Sequence, residues 1–253
     1  MRERPCLVDG RAGDCGFLPD GLYVWQNIRT TGCRGEGVGR HHELLDYAAR
    51  EVLGFGVEVG AEELDRQINR LLADNGYPPD AFSYVTVRQY VSGELVVAAR
   101  EIFPYRERKL RIVSPQAAIV DYDLPFSEQP TSMSESAARI ALAGVQMHDP
   151  QLRCVIRRNG RGEIVSADGS PLFIVEEGMI VAPPPEVPSV WFERVVRTAS
   201  GSGTAFSCET VDADRLLAAE ELFFADHRGV TAVSRCEGHI YIHLLAERIG
   251  RLF

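Results

Sequence analysis

Lysine is all but missing from this chain. Lys109 is the only one among 27 basic residues in 253; the rest are arginine. A guanidinium stays protonated and is not nucleophilic, so chemistry that needs a neutral amine has a single candidate side chain. No apolar run reaches the ~18 to 20 residues needed to span a bilayer. The opening residues, Met1-Arg-Glu-Arg-Pro-Cys6, have no apolar stretch like a secretory signal. Both absences lead to the expectation of a cytoplasmic protein with no membrane partner. Positive charge is in deficit, with a net charge of −9 and a pI near 5.2. A general attraction to nucleic acid is therefore not expected. Paired cysteines are lacking too. Cys6, Cys15, Cys33, Cys154, Cys208 and Cys236 contain no C-x-x-C, and only Cys236 lies near a histidine, three before His239. No metal site is expected, and the cysteines read as reduced thiols, several of them buried.

What is present fits a globular protein. Hydrophobic residues make up 45% and charged residues 25%, ordinary values for a chain that can form one large domain or two of moderate size. Proline and turn residues gather at Ser114-Pro115, Asp121 to Pro125 and Ser127 to Pro130. The expected division is an N-terminal α+β lobe over 1–118, a linker over 119–131 and a C-terminal α/β lobe over 132–253. In the first lobe, alternation predicts strands over 22–30, 84–90, 95–102 and 109–113. Apolar spacings of three and four predict helices over 41–55 and 61–75. In the second, helices are predicted over 134–147, 190–198, 212–223 and 244–252. Strands are predicted over 154–158, 164–165, 172–175, 179–181, 230–233 and 239–242. Helices alternating with strands in two halves give an α/β (α+β) two-domain expectation.

Several short segments share one cadence: Gly162-Glu-Ile-Val-Ser166, Ser170-Pro-Leu-Phe-Ile-Val175 and Gly178-Met-Ile-Val-Ala-Pro183. They resemble the G-x-V-x-E, S-N-L/V-F-x-V and G-x-L-x-T-P patterns of the class IV aminotransferases. These are the fold-type IV pyridoxal phosphate enzymes, which include branched-chain and D-amino acid aminotransferases and 4-amino-4-deoxychorismate lyase. Ala218 to Phe223 and Gly229 to Val233 are similar to that family's A-D-E-V-F and G-V-x-P-V. Upstream, Gly21 to Arg29 and His41 to Gly54 resemble G-D-G-V-F-E-T-I-R and H-L-x-R-L-x-x-S-A-x-x-L-G. The matches run in the family's order over most of the chain. The resemblance implies a fold like that of D-amino acid aminotransferase, a homodimer and a cleft between the lobes.

At the functional positions the resemblance fails. Counting back from the G-x-V-x-E segment places the Schiff-base lysine at Ser132 to Ser134. The glutamate that pairs with the ring nitrogen falls at Ser166, which cannot supply an anion. The asparagine falls at Pro171 and the phosphate-gripping arginine at Leu44. The phosphate-binding G-I-T-R turn becomes Ser189-Val-Trp-Phe192, and T-N-T/S becomes Ala225-Asp-His227, where Asp226 opposes a phosphate. Lys109 lies in what the family has as the last strand of the first lobe and reads as a solvated charge.

The expected function is therefore a degenerate class IV aminotransferase-like protein that does not run Schiff-base chemistry. It would need no cofactor, with pyridoxal phosphate implied by resemblance alone, and would bind a small ligand in the interlobe cleft. Candidate cleft residues are Ser132, Ser134, Ser166, Asp226, His227 and Arg228. Two enzymatic alternatives stand beside this. One is an active pyridoxal phosphate-dependent aminotransferase or lyase with altered residues. The other is a hydrolase using His227 with Asp226 and the serines. Glycines 35–39 read as a hairpin end, His41 as a packing histidine, Glu135 as a first-turn acid, Glu163 as exposed, and Arg157 to Arg161 as a solvated basic hairpin tip.

Overall fold

The computed structural model describes residues 5–14, 19–100, 102–103, 114–124 and 127–253. The predicted strand at 109–113, and Lys109 with it, lies outside these. The chain divides into two units, one formed by the described residues up to 103 together with Gln129–Met133, the other by 114–128 and 134–253.

The first unit is one antiparallel sheet backed by two helices. Its strands are β1 (Pro5–Val8), β2 (Arg11–Asp14), β3 (Tyr23–Thr31), β4 (Arg34–Gly35), β5 (Phe82–Tyr90) and β6 (Leu95–Ala99), in the order β2-β1-β6-β5-β3-β4. Helices α1 (Val38–Val52) and α2 (Ala61–Asp74) lie at the expected places. Each presents a stripe: Leu45, Ala48 and Ala49 from α1 and Leu64, Ile68 and Leu72 from α2 meet Val24, Ile28, Val85, Val87 and Val97 of the sheet. Of the glycines over 35–39, read as a hairpin end, Gly35 lies in β4, Gly37 takes a left-handed conformation (φ 65°) as α1 begins, and Gly39 lies within α1; the β3–β4 turn itself is Gly32-Cys33. His41 is buried and its Nδ1 sits 3.0 Å from Gln26 Oε1.

The second unit has two five-stranded sheets. One is ordered β16-β15-β7-β8-β9, from β7 (Gln116–Asp121), β8 (Leu152–Arg158), β9 (Ile164–Ala167), β15 (Arg235–Cys236) and β16 (His239–Ile240). The other is β12-β11-β10-β13-β14, from β10 (Leu172–Glu176), β11 (Met179–Ala182), β12 (Phe206–Cys208), β13 (Glu221–Asp226) and β14 (Gly229–Ala232). Helices α3 (Ser132–Gln146, whose first two residues group with the first unit), α4 (Val190–Gly201), α5 (Ala213–Ala218) and α6 (Leu244–Leu252) complete it. Between the sheets, Ala117, Cys154, Ile156 and Ile164 meet Leu172, Ile174, Leu222 and Phe224. On the outer face of the second sheet, Phe173, Val175, Phe223 and Ala225 meet Trp191 and Val195 of α4 and Ala246 and Ile249 of α6.

Two local expectations need correction. The helix predicted over 212–223 stops at Ala218, and β13 begins at Glu221. Leu222 and Phe224 face one core while Phe223 and Ala225 face another. A strand buried on both faces has no period of two, so its apolar run extends a helical pattern in sequence. Gln116–Asp121, whose flanks read as a connection, is a strand paired parallel to β8.

Cys6, Cys33, Cys154, Cys208 and Cys236 form no disulfide. Burial pushes the Cys236 thiol up to about 12. No described helix is long and apolar enough to cross a membrane.

Glu221 ties the two layers. Buried at the start of β13, it accepts N–H bonds from Leu245 (2.8 and 3.0 Å) and Ala246 (2.9 Å) at the head of α6. Its negative charge suits the exposed donors and positive end of that helix. Glu221→Gln should lower stability by about 1–3 kcal/mol, read from urea unfolding midpoints. In the native protein near pH 8, a thiol-alkylating reagent should modify exposed Cys208 well before Cys236, whose thiolate is scarce there.

Candidate functional site

The outward face of the first sheet of the second unit holds a buried group of charges around Arg157. Along β8, Cys154 and Ile156 face the core, so Val155 and Arg157 face away from it. Arg157 stands opposite Ser166 of β9 in the antiparallel register and beside Val120 of β7 in the parallel one. Its side chain is only 3% exposed.

Three groups hold it. Arg157 Nη2 donates to Glu128 Oε2 at 3.0 Å and to Glu186 Oε2. The guanidinium carbon lies 5.9 Å from the centre of the Tyr122 ring, a cation–π arrangement. Burial raises the Tyr122 phenol above its usual range, so the ring stays neutral at physiological pH. Arg157 Nη1 is buried with no acceptor among the described residues. Two carboxylates on one guanidinium leave the group with an excess negative charge.

This corrects the reading of Arg157 as solvated. A charged residue in a strand-forming run gives no sign of the face it will occupy; the register with Ser166 decides it. The rest of the hairpin tip is closer to expectation. Arg158 forms a two-pronged pair with Asp121 (2.5 and 2.9 Å), and Arg161 Nε pairs with Glu163 at 2.9 Å. Glu163 is half-buried, and bonds from Asn159 and the nearby Arg161 hold its carboxyl low. Tyr122, Glu128 and Glu186 were not foreseen, because nothing local links residues so far apart in sequence.

The other expected residues fall on separate elements. Ser132 and Ser134 lie in the first turn of α3, where Glu135 pairs with Arg139 at 2.5 Å. Asp226 ends β13, and His227 and Arg228 form the two-residue turn into β14. Asp226 Oδ1 accepts the Arg228 N–H at 2.7 Å, an Asx turn that shapes the hairpin. His227 is buried. The chain leaving Ser166 turns at residues 168–169 and reaches Pro171, whose carbonyl accepts the Ala225 N–H at 3.2 Å.

Two remaining positions are those where the family resemblance led one to expect phosphate contacts. Leu44 is buried. Helix α4 is capped by its own Ser189, which accepts the Phe192 N–H at 3.4 Å, and carries Glu193 in its first turn. A self-capped terminus with an acid beside it is a poor phosphate cradle.

Arg157→Met should cost about 1–3 kcal/mol in chemical unfolding, by loss of charge-assisted hydrogen bonds. The penalty should shrink when Glu186→Gln is added, because the stranded carboxylate is then removed.

No protein-family model and no curated protein matches the chain. Solved structures do. A branched-chain aminotransferase from Thermoproteus uzoniensis, determined with norvaline, is 20% identical, with 98% of this chain and 92% of that one covered and a TM-score of 0.83. An aminotransferase from Brucella abortus bound to PLP gives 16% identity, 99% and 98% coverage and a TM-score of 0.83. A putative 4-amino-4-deoxychorismate lyase from Legionella pneumophila gives 14%, 90% and 88%, and 0.74. At these identities the likeness is one of fold, and the chain has the fold of the class IV aminotransferases and lyases, as its motifs led one to expect.

Proposed function

We propose that this chain is a non-catalytic relative of the class IV aminotransferases that binds a small polar ligand rather than running Schiff-base chemistry. The observation that carries the reading is Arg157 opposite Ser166. A protonated pyridine nitrogen needs an unengaged anion beside it. At the position where the resemblance puts that anion there is a serine, and the neighbouring strand supplies a buried cation whose carboxylates are already engaged with it. The other positions agree. Leu44 is an apolar core residue where an arginine would grip a phosphate, and α4 begins with a self-cap and an acid. Ser132 and Ser134 carry no amine. The residues present therefore do not fit pyridoxal phosphate, and no catalytic step is derived through it.

The same group supports binding. Buried donors are almost always satisfied, and Arg157 Nη1 has no acceptor from the described residues. A ligand offering a neutral oxygen, such as an amide or alcohol, suits it better than an anion, since Glu128 and Glu186 already outweigh the single positive charge.

The experiment is incubation with pyridoxal phosphate followed by borohydride reduction and peptide mass mapping, with an absorbance scan before reduction. The expected result is no absorbance at the visible edge and no pyridoxyl group fixed on Lys109. A reduced adduct on Lys109 together with that absorbance would sink the proposal and restore the aminotransferase or lyase alternative.

A further inference from the structure

We propose that Asn75-Gly76, at the end of α2, is the site where this chain deamidates spontaneously, and that its second Asn-Gly pair, Asn159-Gly160, is held against the same reaction by its own hydrogen bonds. The reaction is independent of any catalytic or binding role.

Asn-Gly occurs twice in the sequence, at 75–76 and at 159–160. The pair is prone to ring closure because glycine has no Cβ to screen its main-chain nitrogen. That nitrogen gives its proton to hydroxide and bonds to the asparagine Cγ. The Cγ–Nδ2 bond breaks and ammonia leaves. Water then opens the five-membered imide at one or other carbonyl, which yields aspartate or isoaspartate. Nothing is oxidised or reduced. The asparagine side chain must be free to swing onto the next nitrogen, so local structure sets the rate.

The two pairs are held very differently. Asn159 is 9% exposed. Its Oδ1 accepts the Arg161 and Glu163 N–H groups, each at 3.0 Å, and its Nδ2 donates to Glu163 Oε2 at 2.9 Å. The Gly160 nitrogen donates to Asp123 Oδ1 at 3.0 Å. A Cβ at Gly160 would lie 2.9 Å from Asp123 Oδ2, so that carboxylate already fills the space beside the glycine. Asn75, by contrast, is exposed. Among the described residues its side chain makes one hydrogen bond, from Nδ2 to Leu71 O at 2.7 Å. The Gly76 nitrogen donates to Ala73 O at 3.0 Å. Nothing beyond its chain neighbours lies within 4 Å of where a Cβ would stand at Gly76. Both of these bonds belong to the last turn of α2, and helix ends open at little cost. Ring closure at Asn75 needs that turn alone to loosen. At Asn159 the whole clasp over 159–163 has to come apart.

The test is incubation of the full chain in warm, mildly alkaline buffer. Samples drawn over time are digested and mapped by mass spectrometry, and isoaspartate is identified by enzymatic methylation. Asn75 should convert at least about tenfold faster than Asn159, which has two more side-chain hydrogen bonds to lose. In concentrated urea, with the structure gone, the two rates should converge. Glu163→Ala removes the acceptor of Asn159 Nδ2 and should raise the Asn159 rate several-fold while leaving Asn75 as it was. Equal rates in the folded chain, or a faster Asn159, overturn the proposal. So does an Asn75 that stays intact in the folded chain while the unfolded chain reacts. A difference that persists undiminished in urea overturns it too, since it would belong to the flanking sequence, as does an Asn159 rate that Glu163→Ala does not raise. If Glu163→Ala fails to fold, the folded and unfolded parent chains decide alone.

Discussion

Burial of β10 and β13 on both faces is the constraint around which the second unit is built. Their side chains alternate between two cores, one shared with the β7–β8–β9 sheet and one with α4 and α6. Apolar area removed from water on both sides makes the central strands the costliest place for a polar substitution. Glu221 is tolerated there because the N–H groups of Leu245 and Ala246 at the head of α6 satisfy its carboxylate. The core thus fixes where α6 begins, and the same strands carry the Asp226–Arg228 turn at their far end.

That constraint explains how the fold persists at 14–20% identity to its structural neighbours. Packing asks for apolar residues of suitable volume at alternating positions and accepts many combinations. The polar positions obey no such tolerance. They depend on single functional groups, and a serine in place of a glutamate changes what a site can hold without disturbing a core. Arg157 is such a polar position: it brings its own charge and gathers Glu128, Glu186 and Tyr122 around it.

Helix α3 follows a different rule from the rest of the unit. Every other helix of the second unit buries at least one residue, whereas α3 buries none among the described residues.

The sequence by itself determined the regular elements with clear periods. Helices α1, α2 and α6 were visible from apolar spacings of three and four, and β3, β5 and the β10–β11 hairpin from strand formers and turn residues, because these signals are local. The order of short motifs was enough to point to the fold. It also showed that Lys109 is the chain's only lysine, since the scarcity of a residue type can be read without coordinates. Tertiary structure alone decided the rest. The β13 segment looked helical because burial on both faces erases the alternation that marks a strand. Arg157 looked solvated because the face a strand residue occupies is set by register with β7 and β9, not by its neighbours in the chain. Glu128 and Glu186 could not be linked to it, because a contact between residues 29 positions apart exists only once the backbone between them has folded.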